Sequence, residues 1–434
     1  LPLSLTDMSA PIIGIASRTQ TPKGLRLHIG LFGRRNAGKS SLINALTNQK
    51  IAIVSDVPGT TTDPVEKACE LAPIGPVVFI DTAGVDDVGE LGGLRTERSL
   101  AVLGWVDVAL IVCDAKALTE SELELIRTVK STATPTVVVL NKADTADAKE
   151  LIATQEQVRS LGYEPVTVCA SQKLNIDAVR EAIVKLAQNA VEPDLPLLGD
   201  LVHPGDTVML VTPIDTGAPK GRMILPQVQA IREVLDADAK CIVVRENRLA
   251  ETLTNEKEPP AFVVTDSQVV QSVVAQTPKT IPVTTFSIQM AYSKCDLVEM
   301  ARGAAMIDFL RPGDKVMICE TCSHHPQPDD IGRKKLPRWL AKKVGGELDI
   351  EVVVGKDFPV DLTPYKLILQ CGGCVVTRRH MLTRLAQAKR QNIPMTNYGV
   401  AISHLQGVLE RALELHPKAL KAFHEAREIF ANHF

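Results

Sequence analysis

The sequence predicts an α/β chain: an N-terminal P-loop domain followed by two Rossmann-like α/β domains with parallel sheets. Three features carry that expectation. An apolar run, Leu25 to Phe32, leads into the glycine-rich stretch Gly33-Arg34-Arg35-Asn36-Ala37-Gly38-Lys39-Ser40-Ser41 and then a helical run through Leu46. Residues 201–210 and 309–318 echo each other at an offset of 108, each with a Pro-Gly-Asp turn ahead of an apolar run. Two cysteine-bearing stretches, 322–325 and 371–374, each follow a short apolar run. Short apolar runs between helical stretches are the mark of parallel strands covered by helices. The boundaries expected are an arm over 1–23, then domains over 24–190, 191–298 and 299–434.

Composition narrows the classes. A chain of 434 residues with 45% hydrophobic content is long enough for several ordinary cores. A formal charge of −3 and 3% aromatic residues argue against nucleic acid as a partner, since both a basic face and stacking platforms are scarce. No apolar run reaches the roughly 20 residues a spanning helix needs, and the first residues lack the charged-then-apolar pattern of a secretory signal, so a cytoplasmic protein without membrane contact is expected. Nine cysteines, an odd number, read as reduced thiols and not as a disulfide framework.

Taken in order, Leu1 to Pro22 reads as an arm without periodicity. The strand, loop and helix that follow make a complete P-loop. Backbone N–H groups of Gly33 to Ser41, among them Asn36, Ala37 and Gly38, would cradle phosphates, Lys39 would reach the terminal ones, and the Ser40 hydroxyl would ligate Mg²⁺. Asp81-Thr82-Ala83-Gly84 follows the strand Val77 to Ile80, with Asp81 placed to hold Mg²⁺ through water and the Gly84 N–H to sense the terminal phosphate. Within Gly59-Thr60-Thr61-Thr62-Asp63, Thr61 is the second Mg²⁺ ligand. Asn141-Lys142-Ala143-Asp144 follows the strand Pro135 to Leu140. The Asp144 carboxylate matches two guanine donors that adenine lacks, so GTP and GDP are favoured over ATP by about 10⁴-fold. The Ala170 backbone, within Cys169-Ala170-Ser171, completes the base site, with Cys169 read as structural.

These motifs resemble the translation-factor-like small GTPases, and the spelling Asn-Ala-Gly-Lys-Ser-Ser with Gly-Thr-Thr-x-Asp resembles the Era and MnmE branch. That resemblance implies a K⁺ ion at Asn36 that stimulates hydrolysis, with Lys39, Thr61 and Gly84 in the catalytic set. Val85 stands where Ras-like enzymes carry a water-orienting Gln, so unaided turnover should be slow.

After a helix expected over Asn175 to Asn189, the stretch 191–196 reads as a linker. Phe262 to Ser267 then echoes Lys366 to Cys371 at an offset of 104, which implies two domains on one plan. On that alignment Cys322 faces Ile214, His324 faces Thr216, Cys371 faces Ser267 and Cys374 faces Val270, so only the second copy carries ligands. Cys322, Cys371, Cys374 and His324 make a metal site, and soft thiolates suit either zinc or an iron–sulfur cluster. Cys319 reads as a small buried hydrophobe, although Cys319, Cys322, Cys371 and Cys374 would also make a four-thiolate set. Cys69, Cys113, Cys241 and Cys295 read as packing residues, His404 as a partly buried or surface histidine, and Arg333-Lys334-Lys335 as a solvated face. Helices are expected over 405–434.

The middle stretch 218–227, the Cys-x-His-His stretch, Asp329-Asp330-Ile331-Gly332, Pro337-Arg338-Trp339, the Cys-Gly-Gly-Cys loop and Thr396 to Val400 together resemble the [FeFe]-hydrogenase maturation GTPases. The resemblance implies a middle domain that forms a homodimer and a last domain that binds a [4Fe-4S] cluster through Cys322, Cys371 and Cys374. It further implies a scaffold that carries a transient di-iron subcluster, made with radical-SAM maturases, to apo-[FeFe]-hydrogenase. Gln370 stands where that family often has His, which leaves the fourth iron site open, water-filled, or taken by His324, His325 or Cys319. A ribosome- or tRNA-associated GTPase with structural zinc is the alternative.

Overall fold

A computed structural model of the chain describes residues 23–47, 65–82, 101–189, 195–214, 223–321, 330–355 and 358–432. They fall into two compact units, 1–191 and 192–434. The arm up to residue 22, Thr61, Gly84, Val85, most of the linker, residues 218–222, Cys322, His324 and His325 lie outside the described residues.

The first unit runs β1 (Leu27–Phe32), α1 (Lys39–Thr47), β2 (Val65–Leu71), β3 (Gly75–Asp81), β4 (Val108–Asp114), α2 (Glu120–Ser131), β5 (Thr136–Asn141), α3 (Ala148–Ser160), β6 (Val166–Thr167) and α4 (Ile176–Asn189). Its sheet has the order β2-β3-β1-β4-β5-β6, with β2 antiparallel to β3 and every other pair parallel. Side chains alternate between two cores: Ile29, Leu31, Val77 and Phe79 on one face, Phe32, Val78, Ile80 and Ile111 on the other. Burial on both faces explains why these central strands are continuous apolar runs. Each such side chain stabilises the unit by about 1.5–3 kcal/mol relative to exposure. Edge strand β2, Val-Glu-Lys-Ala-Cys-Glu-Leu, has charges interleaved with apolar residues and carries no comparable signal.

The second unit contains two sheets. The first is built from β7 (Thr207–Val211), β8 (Lys240–Val244), β9 (Phe262–Thr265) and β10 (Val283–Thr285), with helices α5 (Leu225–Asp236), α6 (Leu249–Asn255), α7 (Val270–Gln276) and α8 (Phe286–Lys294). After α9 (Leu297–Ala304), the second is built from β11 (Lys315–Glu320), β12 (Asp349–Val354), β13 (Leu367–Gln370) and β14 (Met395–Asn397). Helices α10 (Leu336–Val344), α11 (Arg378–Arg390), α12 (Tyr398–Leu405), α13 (Leu409–Ala412) and α14 (Pro417–Ala431) accompany it. All strand pairs in both sheets are parallel, in the orders β10-β9-β7-β8 and β12-β11-β13-β14. Counted within each copy, these are the same order read from opposite edges.

The echo in the sequence is therefore a structural repeat. Gly205 (φ +87°) and Gly313 (φ +86°) occupy the same left-handed turn. Asp206 accepts from the His203 N–H at 2.8 Å, and Asp314 from the Arg311 N–H at 2.7 Å. The second half of the alignment needs correction. Val208 pairs with Phe262 and Val316 with Leu367, so Phe262 corresponds to Leu367 at an offset of 105, and Cys371 and Cys374 correspond to Asp266 and Val269. Short apolar strands resemble each other in more than one register, and only the hydrogen-bond ladder fixes which is real.

Helix α8 joins the copies. Phe286 and Met290 pack with Val208, Leu210 and Phe262, whereas Ile288, Ala291 and the following Cys295 pack with Met317, Cys319 and Ile368. At Gly399 in α12 a Cβ would come within 2.6 Å of the Ser287 Cβ, so the two helices touch where no side chain fits. The basic run at 333–335 is not simply a solvated face. Arg333 holds the buried Glu320 with Nε and Nη2 at 3.1 and 3.0 Å, and Lys335 Nζ donates to Gln268 at 2.6 Å.

Candidate functional site

The first candidate site lies at the carboxyl ends of β1, β3 and β5, where open α/β sheets place their ligands. Gly33 has φ +144°, and a Cβ there would meet the Val112 carbonyl oxygen at 2.2 Å. Asn36 has φ +60° and Gly38 +95°, so the loop turns into α1 through the left-handed region. Lys39 Nζ, largely buried, donates to the Gly33 and Arg34 carbonyls, both at 2.9 Å. Ser40 Oγ donates to Asp81 Oδ2 at 2.7 Å, which brings together the two described residues expected at Mg²⁺. Ser41 follows in α1.

Asn141 staples three loops. Its Nδ2 donates to the Ala37 carbonyl at 2.8 Å, and its Oδ1 accepts from the Ala170 N–H at 3.0 Å. A Cβ at Gly38 would meet the same Nδ2 at 2.2 Å. Asp144 accepts from the Cys169 thiol at 3.0 Å and from Gln172 Nε2 at 3.2 Å. The structural role of Cys169 is to orient that carboxylate through its thiol. Lys142, at φ +61°, donates Nζ to Asp114 at 3.2 Å.

Sequence reasoning missed Arg34, Asp114 and Glu122. Arg34 reaches Asp114 at 3.1 Å and the nearly inaccessible Glu122 at 3.4 Å, tying the P-loop to β4 and α2. Burial lifts the Asp114 carboxyl, but the Lys116 N–H, Lys142 and Arg34 outweigh it and hold it below its ordinary range. These contacts span distant positions, and no local motif marks them.

The second candidate site lies at the carboxyl ends of β11 and β13. Thr321, the residue before Cys322, places its N–H 3.2 Å and its hydroxyl 3.1 Å from the Cys371 sulfur. The Cys371 N–H donates to the Cys319 carbonyl at 2.9 Å. Gly373 turns the loop at φ +66°, and a Cβ there would meet Met381 Sδ at 2.8 Å. Cys374 packs against the apolar cluster that contains Phe286 and Met290, and burial, then the neighbouring Cys371, pushes its thiol up to about 11. Cys319 is inaccessible within an apolar core, where burial pushes its thiol up to about 12. Among the described residues no three His, Cys, Asp or Glu side chains are placed to hold a metal ion. Cys371 and Cys374 are the described part of the expected ligand set. Soft sulfur donors on a tight glycine loop, one of them already accepting hydrogen bonds, fit a thiolate-bound inorganic group. His404, partly buried, bonds Asp308 at 2.9 Å.

The Hydrogen maturase F tetramerization domain matches residues 298–415, the Hydrogen maturase F dimerization domain matches 197–295, and the 50S ribosome-binding GTPase domain matches 28–142. The tRNA modification GTPase MnmE of Trichormus variabilis is 38% identical over 167 residues, 37% of this chain and 34% of that protein. GTPase Der of Wolinella succinogenes is 34% identical over 172 residues, 38% of this chain and 36% of that protein. The chain thus spans about a third of the length of these curated relatives. The solved G domain of the T. maritima FeoB iron transporter aligns at 24% identity with a TM-score of 0.30, over 38% of this chain and 99% of that one.

Fold and nucleotide loops define the class: a P-loop GTPase whose chain continues into two parallel α/β domains. With its middle and last domains matched by the two hydrogen maturase F domains, the chain belongs to the hydrogen maturase F family. No helix among the described residues is long and apolar enough to cross a membrane.

Proposed function

We propose that the protein is a GTP-hydrolysing scaffold that holds a [4Fe-4S] cluster and delivers a di-iron subcluster precursor to apo-[FeFe]-hydrogenase. In this reading residues 24–190 bind nucleotide, 191–298 dimerise, and 299–434 hold the cluster and extend the assembly. Radical-SAM maturases supply the precursor. The observation that carries the reading is the meeting of Thr321 and Cys371, which joins the strand end leading to Cys322 with the loop bearing Cys371 and Cys374.

The chain's own residues divide the work. Gly33 to Ser41 bind the phosphates, and Lys39 leaves its two loop carbonyls for the terminal phosphate. Ser40, Thr61 and Asp81 position Mg²⁺, Asn36 binds K⁺, the Gly84 N–H senses the γ-phosphate, and Asn141, Lys142, Asp144 and Ala170 select guanine. Cys322, Cys371 and Cys374 are the cluster ligands, with His324 available to the fourth iron. Bound iron–sulfur would supply an exchangeable metal position to which a second iron unit attaches. The zinc-bearing, RNA-linked alternative rests on the GTPase domain alone.

The test is transfer. Protein loaded by the radical-SAM maturases and mixed anaerobically with apo-[FeFe]-hydrogenase is expected to evolve hydrogen, and Cys371→Ala or Cys374→Ala protein to evolve none. Transfer that is indifferent to both cysteines contradicts the proposal.

A further inference from the structure

Gln370 ends β13, fully inaccessible, between Cys319 on β11 and Asn397 on β14. Its Oε1 accepts from Nη1 of the buried Arg384 at 3.0 Å. Arginine has donors only, so this contact fixes which way the amide points. Nε2 must then face the loop, where it lies 3.5 Å from the Cys371 sulfur, 3.4 Å from the Cys371 carbonyl and 3.5 Å from the Cys319 carbonyl. Arg384 is itself held, with Nη2 on the Gly355 carbonyl at 2.9 Å and its guanidinium over the Phe358 ring at 5.0 Å. With the Thr321 N–H and hydroxyl, three groups converge on the Cys371 sulfur. Cys374 packs instead against the apolar cluster that contains Phe286 and Met290. In the copy without the thiol loop the position of Gln370 is Thr265, whose short side chain turns to the Asp266 carbonyl.

We infer that Gln370 is a positioning residue, not a ligand: held by Arg384, its amide donates a hydrogen bond to the Cys371 thiolate and raises the reduction potential of the group bound there. The inference rests on the cluster reading above. Donors to a ligating sulfur stabilise the reduced, more negative state, so the Arg384–Gln370 pair favours reduction, and its loss favours oxidation. A side chain with a merely structural role would leave the potential unmoved.

The test is an EPR-monitored redox titration of anaerobically reconstituted full-length protein as wild type, Gln370→Met and Gln370→Glu. Gln370→Met removes the donor without adding charge. Gln370→Glu keeps an acceptor facing Arg384, so the fold is held at this position even where Met disturbs it. At the wild-type midpoint potential, the oxidised-to-reduced ratio is expected to rise about threefold to tenfold in Gln370→Met, the range one hydrogen bond gives, and at least as far in Gln370→Glu. Variants with wild-type iron content that titrate at the wild-type potential overturn the role of Gln370 and leave the cluster reading standing. A wild-type chain that takes up no iron overturns the reading beneath it.

Discussion

Cys169 shows how much one side chain adds to a motif. Asp144 announces guanine selection by its spacing from Asn141, but the two donors that aim it, Cys169 and Gln172, are recognisable only once the loops are folded. Cys169→Ser keeps a donor and is expected to bind GDP like wild type. Cys169→Ala should weaken binding about threefold to tenfold, the cost of one side-chain hydrogen bond, as read by displacement of a fluorescent GDP analogue. GTP hydrolysis is expected to run faster in K⁺ than in Na⁺, with the difference lost in Asn36→Ala; equal wild-type rates in the two salts remove Asn36 from the mechanism. The P-loop, Asp81 and Asn141 were legible because each follows an apolar strand at a set spacing. Arg34, Thr321 and Arg384 were not, because their partners Glu122, Cys371 and Gln370 come from other elements and their own residue types suggest only surface charge or polarity.

Elements of the second unit are joined by close backbone contact and by one half-buried carboxylate. In α9, a Cβ at Gly303 would lie 2.0 Å from the Met395 carbonyl oxygen on β14, where backbone has no room to give. Gly303→Ala is therefore expected to lower the unfolding midpoint by an amount matching about 2–3 kcal/mol, despite alanine's better helix propensity. Asp308, just after α9, takes His404 of α12 at 2.9 Å, Lys343 of α10 at 2.8 Å and Arg427 of α14 at 3.0 Å. Burial raises its carboxyl, but His404 and Lys343 outweigh burial and hold it well below the ordinary range. A carboxyl depressed by folding contributes stability fully present above the unfolded pKa, about 3.9, and lost as the pH falls through the folded one. Urea titrations should accordingly show Asp308→Asn weaker than wild type at neutral pH, with the gap closing below a pH of about 4. Strands β7, β9, β11 and β13 were readable as apolar runs, but the register correction from 104 to 105 was not, since it depends on which backbone groups pair.

At the scale of the whole molecule, the chain joins a guanine-nucleotide unit to a duplicated α/β unit of which only the second copy carries the thiol loop. The repeat itself was visible in the sequence because its Pro-Gly-Asp turns need a left-handed glycine and a capping aspartate. If the two units keep separate chemistries, Asp144→Asn should lose GTP binding and retain metal, and Cys371→Ala should do the reverse, in paired nucleotide and metal titrations. The central claim is that sulfur ligands after β11 and β13 hold an iron–sulfur cluster, and metal content tests it most directly. Anaerobically reconstituted wild-type protein is expected to be brown, to carry about four irons per chain, and to bleach with reductant, while Cys371→Ala and Cys374→Ala lose the iron. Colourless protein with stoichiometric zinc, or iron that survives both substitutions, would contradict the account.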